Sequence, residues 1–376
     1  MSLKRVGVIG GGQLAGMMAA EAEALGIELV VQTPDSQDPA VAVANEVIYA
    51  PVDDAVATAK LATHCQSITF ENEFINLAAL SKLAQEGICF RPSLEALAPL
   101  LDKYKQRLYL KKIGLPVPKF ILLESGQEIT SPFGFPAVLK TRRNGYDGKG
   151  TFIVKNLNDL KTTWESRECP DILLEEFVPF NQELAVMAAR SLKGEIVIYP
   201  IVETQQVNQV CRRVIAPAQI NPELVSQIQA IATTLLEKLQ VVGIFGIELF
   251  LTEDQQVLVN EIAPRTHNSG HFTLDACETS QFAMQLQTVA DLPLGSPQMK
   301  YPGAVMVNLL GDETSVSDYQ AKRSRLQAMP QTFVHWYGKK ESYPGRKLGH
   351  VTTLLKSPDR SAALKMIQAI ESLWYS

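Results

Sequence analysis

Short apolar runs alternate with amphipathic stretches over the first hundred residues, a pattern of strands alternating with helices. Residues 6–9 read as a buried strand, the glycines at 10–12 as a turn, 13–25 as a helix and 27–32 as a second strand. This order predicts the start of a parallel α/β sheet. Further pieces lie at 67–71 and 77–86, and Arg91-Pro92-Ser93 punctuates the end of the unit. A helical linker at 102–113 then leads to Leu115-Pro116-Val117-Pro118, whose prolines fix an extended entry into the next unit. There the pattern predicts strands at 137–140 and 172–175 around a glycine-rich loop at 144–150. A strand pair at 183–189 and 196–202, a helix at 222–239 and a second strand pair at 246–251 and 257–262 follow. Beyond Pro302 a smaller mixed segment ends in a helix at 361–373, and no internal repeat is evident.

The length, 376 residues, exceeds what one core ordinarily holds. With 46% hydrophobic and 20% charged residues and no low-complexity tract, the chain is expected to be globular throughout. A formal net charge of -5 offers no basic footprint for nucleic acid. Five scattered cysteines, an odd number without a C-x-x-C pair, argue for a reducing, cytoplasmic setting. The apolar stretch after Lys4-Arg5 is too short for a signal peptide, and no window approaches the roughly 20 apolar residues of a membrane span.

Gly10-Gly11-Gly12-Gln13-Leu14-Ala15 satisfies a permissive dinucleotide fingerprint between strand and helix, where backbone N–H groups and the helix dipole attract an anion. The second strand ends in Gln32-Thr33 and lacks the acidic residue that would hold a ribose. A phosphate site and a ligand-free tight turn both stay open. Residues 137–140 end in Lys140, an ammonium at a strand terminus. The three glycines of 145–150 can expose a nest of backbone N–H groups over polyphosphate, or simply join two strands of a hairpin. No Walker motif is present.

The runs 246–251 and 257–262 predict a hairpin. If its turn centres between Asp254 and Gln255, Glu248 and Glu261 face each other on one side, where like charges among apolar neighbours are costly. A divalent cation removes that conflict, and hard oxygen ligands on rigid strands suit a phosphate-bridging magnesium. Asn260 points to the opposite face unless a local irregularity turns it inward. Salt bridges on a solvated face are the alternative for the two glutamates. The polar run Arg265 to His271 beside this hairpin suits substrate contact, and its histidines lack zinc spacing. Arg346 and Lys347, framed by glycines, offer cations to a substrate phosphate or form a solvated turn.

These segments resemble the ATP-grasp superfamily, and within it the N5-carboxyaminoimidazole ribonucleotide synthetase family, along nearly the whole chain. The motifs that carry the resemblance are Gly-Gln-Leu at 12–14, Thr-Phe-Glu-Asn-Glu at 69–73 with Glu71 and Glu73, and Gly-Tyr-Asp-Gly-Lys-Gly at 145–150. Asn-Glu-Ile-Ala-Pro-Arg-Thr-His-Asn-Ser-Gly-His at 260–271, His-Trp-Tyr at 335–337 and Pro-Gly-Arg-Lys-Leu-Gly-His at 344–350 complete the set.

The resemblance implies an α/β and α+β architecture. A Rossmann-like parallel-sheet domain spans 1–97, a two-lobed ATP-grasp domain 98–300 and a small mixed domain 301–376. It implies carboxylation of 5-aminoimidazole ribonucleotide with ATP and bicarbonate, as a purine-biosynthetic ligase in a homodimer. It implies ATP contacts from Lys103, Lys140, the loop Gly145, Tyr146, Asp147, Gly148, Lys149, Gly150 and Thr151, the segment Glu175, Glu176, Phe177 and Val178, Glu183 on the ribose, and Asn260 and Glu261. Glu248 and Glu261 would carry magnesium, or manganese in its place. The ribonucleotide would be held by Gln13, Glu73, Tyr146, Asp147, Lys149, His267, Asn268, Arg346 and Lys347, with Asp147, Lys149 and Lys347 catalytic.

The chain departs from the family's usual pattern at Gly16, where an arginine is common, at Asn144, where glycine is common, and at Lys149, where arginine also occurs. A formate-using transformylase, a biotin-dependent carboxylase and a nucleotide-sensing module without chemistry are the competing readings.

Overall fold

The computed structural model describes residues 3–124, 129–143, 145, 150–166 and 171–375. The expected parallel sheet is present: Lys4–Ile9 pairs with Ile27–Thr33 on one side and Ser67–Phe70 on the other, and Glu46–Tyr49 closes an edge. Its central strands are apolar at successive positions because both faces are covered. Val6, Val8 and Leu29 pack with helix Gln13–Ala22, and Ile9, Val30 and Ile68 pack on the other side. The helix expected to reach residue 25 stops at Ala22, and a 3-10 turn, Glu23–Leu25, finishes it. Gly26, at φ 65, forms the left-handed cap that ends the coil.

Two antiparallel sheets follow. The smaller has the order Phe120–Leu123, Ile172–Glu176, Ala137–Thr141, Thr151–Val154, and helix Leu157–Glu165 lays Leu160 and Trp164 on it. The loop at 144–150 is therefore also the connection of an antiparallel hairpin, Ala137–Thr141 with Thr151–Val154. Gly150 sits at φ +89, and a β-carbon there would lie 2.2 Å from Thr141 Oγ1, so this corner requires glycine.

The larger sheet has nine strands, running from Val257–Ala263 through Gly243–Thr252, Phe180–Arg190, Val202–Val207 and Val210–Ala216 to Gly303–Leu310, Lys347–Leu355 and Thr332–Trp336. The expected strand at 196–202 is split into Ile196–Ile198 and the start of Val202–Val207, with Pro200 between them. Proline has no N–H for the ladder, and each piece pairs separately with Phe180–Arg190. Three strands of the C-terminal segment hydrogen-bond into this sheet, so the segment continues the central architecture.

Helix Pro222–Leu239 buries Leu224, Ile228 and Leu235 against Leu184, Ile247 and Val259 of the large sheet. Helix Gln281–Val289 is wedged between the large sheet and the parallel sheet. Phe282, Leu286 and Val289 join the core of the parallel sheet, and Met284 joins that of the large one. Buried Gln285 ties the two together, accepting from Ile244 N at 2.7 Å and donating to Thr69 Oγ1 at 2.7 Å.

Candidate functional site

A cavity of about 500 Å³ opens between the small sheet and one end of the large sheet. On its floor, Glu248 and Glu261 are direct partners across the hairpin. The register reaches this pairing by a different route from the one expected. Leu251 pairs with Val257 and Leu249 with Val259, which centres the turn on Asp254. A bulge at Asn260 then shifts the ladder by one residue. Val259 lies in the core below, whereas Asn260 and Glu261 both line the cavity. The irregularity that Asn260 needed in order to face inward is this bulge.

The charges there are in conflict. The Glu248 carboxyl is pushed up to about 7 by burial and then by the charges of Glu261 and Glu183. Burial likewise pushes Glu183 up to about 7. Burial also opposes ionisation of Glu261, but the Lys103 ammonium at 2.8 Å, Lys140 and Arg107 together outweigh it and hold that carboxyl below its ordinary range. Glu248, Glu261 and Asn260 Oδ1 thus offer oxygen donors of the kind magnesium takes, and a dication would relieve the repulsion at Glu248. The ion-pair alternative holds for Glu261, which meets Lys103, whereas the charges nearest Glu248 include the acidic Glu261 and Glu183.

Lys140 projects from the small sheet and donates to Asn260 Oδ1 at 3.0 Å. It also pairs with Glu175 at 2.8 Å. Glu175 pairs in turn with Arg107, and the two cations overcome burial to hold its carboxyl down at about 2. Both Glu175 oxygens are therefore committed within the protein. Lys103 and Arg107 share helix Lys103–Lys112, whose first turn is capped by Asp102. Gln106, on the same helix, receives Ile262 N at 2.9 Å and donates to Ile262 O at 3.1 Å. Phe177, Val178 and Glu183 line the cavity wall, with Glu176, Gly145 and Thr151.

At the far end lie Glu73, His267, Asn268 and Lys347. His267 Nε2 is 3.7 Å from Glu248 Oε1, which brings the polar loop up to the acidic floor. Gln13 and Arg346 are absent from the described lining. Gln13 Oε1 accepts from Lys339 Nζ at 3.0 Å, and Lys339 also donates to the carbonyl of Lys347 at 2.9 Å. Arg346 lies over the Tyr343 ring and donates to Glu341 O at 2.8 Å. Tyr146, Asp147, Gly148 and Lys149 lie outside the described residues.

At this end Lys339 was not anticipated from the sequence, and Arg265 was anticipated only as the start of the polar run. Arg265 lines the cavity and pairs with Glu73 at 3.0 Å, and Lys339 joins Gln13 to Lys347. Arg265 stands in the polar run already singled out, so its charge was the available signal. Lys339 directly follows Gly338 and the His-Trp-Tyr motif, so a glycine beside a cation was the available signal there.

The first glycine cluster is occupied by the chain itself. The buried Glu71 carboxylate accepts from Gly12 N at 2.6 Å, Leu14 N at 3.0 Å and Ala15 N at 3.4 Å. A β-carbon at Gly12 would lie 2.6 Å from Glu71 Oε1. Three N–H groups of this helix N-terminus are thus already satisfied by an internal carboxylate, which accounts for the tight turn without a bound ligand. Among the described residues no group of three or more His, Cys, Asp or Glu side chains is arranged to hold a metal by itself. The two opposed glutamates are fewer than such a group and leave room for substrate oxygens.

Comparisons with known proteins agree with this organisation. The ribonucleotide synthetase preATP-grasp domain matches residues 3–99, the ATP-grasp domain 108–282, and the phosphoribosylaminoimidazole carboxylase C-terminal domain 304–363. The chain is 53% identical to an N5-carboxyaminoimidazole ribonucleotide synthase of Synechococcus elongatus, over 99% of this chain and 96% of that protein. It superposes on the N5-carboxyaminoimidazole ribonucleotide synthetase of Thermotoga maritima with a TM-score of 0.88 at 40% identity, covering 98% of each chain. The Aspergillus clavatus N5-carboxyaminoimidazole synthase, solved with ADP and 5-aminoimidazole ribonucleotide, superposes with a TM-score of 0.91 at 29% identity over 99% of this chain and 98% of that one. With an acidic floor, a lysine-tipped sheet facing it and relatives matching from end to end, the chain belongs to the ATP-grasp N5-carboxyaminoimidazole ribonucleotide synthase family.

Proposed function

We infer that this chain carboxylates the exocyclic amine of 5-aminoimidazole ribonucleotide with bicarbonate and ATP, releasing ADP, phosphate and N5-carboxyaminoimidazole ribonucleotide in purine biosynthesis. The observation that carries this reading is the opposed Glu248 and Glu261 pair, which shares one cavity with Lys103 and Lys140 on one side and with His267 and Lys347 on the other.

ATP would lie along the cavity with its base beside Phe177 and Val178, its ribose at Glu183 and its phosphates toward Lys103, Lys140 and the loop 145–151. Glu175 would serve by holding Lys140. Glu248, Glu261 and Asn260 would hold magnesium or manganese, which when bound supplies neutralisation of triphosphate charge. A bicarbonate oxygen bonds to the γ-phosphorus as the bond to the ADP oxygen breaks, giving carboxyphosphate, which splits into carbon dioxide and phosphate. The amine nitrogen bonds to the carbon, and Asp147 takes the displaced proton. The chain contributes placement and charge. Glu73, Tyr146, His267 and Asn268 would seat the ribonucleotide. Gln13, Arg346 and Lys347 would meet its phosphate end, with Lys339 as a further cation there. Lys149 and Lys347 would steady the anionic intermediates.

The same reading takes the chain as a cytoplasmic homodimer with units at 1–97, 98–300 and 301–376. Among the described residues no helix is long and apolar enough to cross a membrane.

An ADP-release assay tests the activity. ADP should form only when aminoimidazole ribonucleotide and bicarbonate are both present. Equal turnover with formate in place of bicarbonate would assign the chain to formyl transfer, and ATP binding without turnover would favour a sensing module.

A further inference from the structure

The loop that lines the ribonucleotide end of the cavity is held from behind by two buried amides outside the expected site. Gln281 accepts from His267 N at 2.9 Å and donates to His267 O at 2.8 Å, clamping both sides of that residue's backbone. Asn308, on strand Gly303–Leu310, is fully buried and forms a closed amide pair with Asn268. Asn268 Nδ2 donates to Asn308 Oδ1 at 3.0 Å, and Asn308 Nδ2 donates back to Asn268 Oδ1 at 2.7 Å. Asn308 Nδ2 also donates to the carbonyl of Cys211 at 2.8 Å.

A backbone carbonyl can only accept, so Cys211 fixes which end of the Asn308 amide is nitrogen. Through the closed pair it also fixes which end of the Asn268 amide is nitrogen. Asn268 retains one N–H and one lone pair, at set positions, for anything bound in the cavity it lines.

Resting on the proposed function, we propose that Asn308 is a positioning residue for the ribonucleotide: it sets the donor and acceptor ends of Asn268 without touching substrate itself. The C-terminal strands thereby take part in substrate selection, because Asn308 belongs to them and the loop does not. Asn308 pairs in register with His350, and His350 with His335, so it belongs to a polar row across three strands.

The test is steady-state kinetics on the full chain, with ribonucleotide and ATP varied in turn, for wild type, Asn308→Leu, Asn268→Leu and the double variant. Asn308→Leu should raise KM for the ribonucleotide about tenfold, the scale of one buried hydrogen bond, and leave KM for ATP unchanged. The double variant should be no worse than Asn268→Leu, because both changes remove the same interaction. Should Asn308→Leu fail to fold, Asn308→Asp keeps the shape but has at most one proton for its two acceptors, and the same comparison applies. An unchanged ribonucleotide KM, a parallel rise in both KM values, or multiplicative effects in the double variant would overturn the proposal. Wild-type turnover with the ribonucleotide reports separately on the proposed function.

Discussion

In the ligand-free chain Glu248 titrates near 7 in place of its ordinary 4.5, through burial first and then the charges of Glu261 and Glu183. A carboxyl raised in this way favours the folded state below about pH 4.5, and that contribution is lost as pH rises through 7. The difference corresponds to about 3 kcal/mol for a side chain that is 21% exposed. Glu248→Gln cannot ionise, so without nucleotide or metal it should melt above wild type at pH 8 and level with it near pH 4. Thermal unfolding at the two pH values checks this, and equal melting at pH 8 would show that Glu248 carries no such strain. The pair itself was legible in the sequence because charges interrupt otherwise apolar strands. Glu71 was harder to place, since the partner of its carboxylate is a helix terminus far away in the chain and no local spacing signals that contact.

At the scale of elements, the hairpin was expected in the right register at its glutamates through the wrong turn centre. Alternation locates strands, but a bulge is one extra residue that preserves the apolar pattern on either side, so Asn260 could be anticipated only as a condition. The helix end at Ala22 and the break at Pro200 are likewise decided by caps and missing N–H groups that periodicity does not register. Helix Lys103–Lys112 reaches the floor through Gln106, whose amide satisfies both backbone groups of Ile262. Gln106→Leu leaves a buried N–H and C=O unpaired and should destabilise the chain by about 2–4 kcal/mol. Urea denaturation measures this. A loss below about 0.5 kcal/mol would mean that the helix is held by its other contacts.

For the whole molecule, the pattern of a parallel unit, a larger mixed unit and a shorter tail was readable from punctuation and periodicity. That the tail's strands extend the central sheet was not, because antiparallel partners distant in sequence leave no spacing signal. Strand Val210–Ala216 depends on Gly303–Leu310 for its outer edge, and Met306 and Leu354 complete the core beneath it. A chain ending at residue 300 would expose that edge and an apolar face, so it should accumulate as aggregate. Recovery of a soluble, cooperatively melting fragment would show that the central unit stands alone.

The proposed chemistry requires that the acidic floor grip the cation that accompanies ATP. The direct measurement is ribonucleotide- and bicarbonate-dependent ADP release by Glu261→Gln, at saturating magnesium and with its melting temperature checked. The variant keeps the shape and removes the charge, and kcat should fall at least a hundredfold or so. Turnover near the wild-type rate would contradict the assignment of Glu248 and Glu261 as the metal-holding pair.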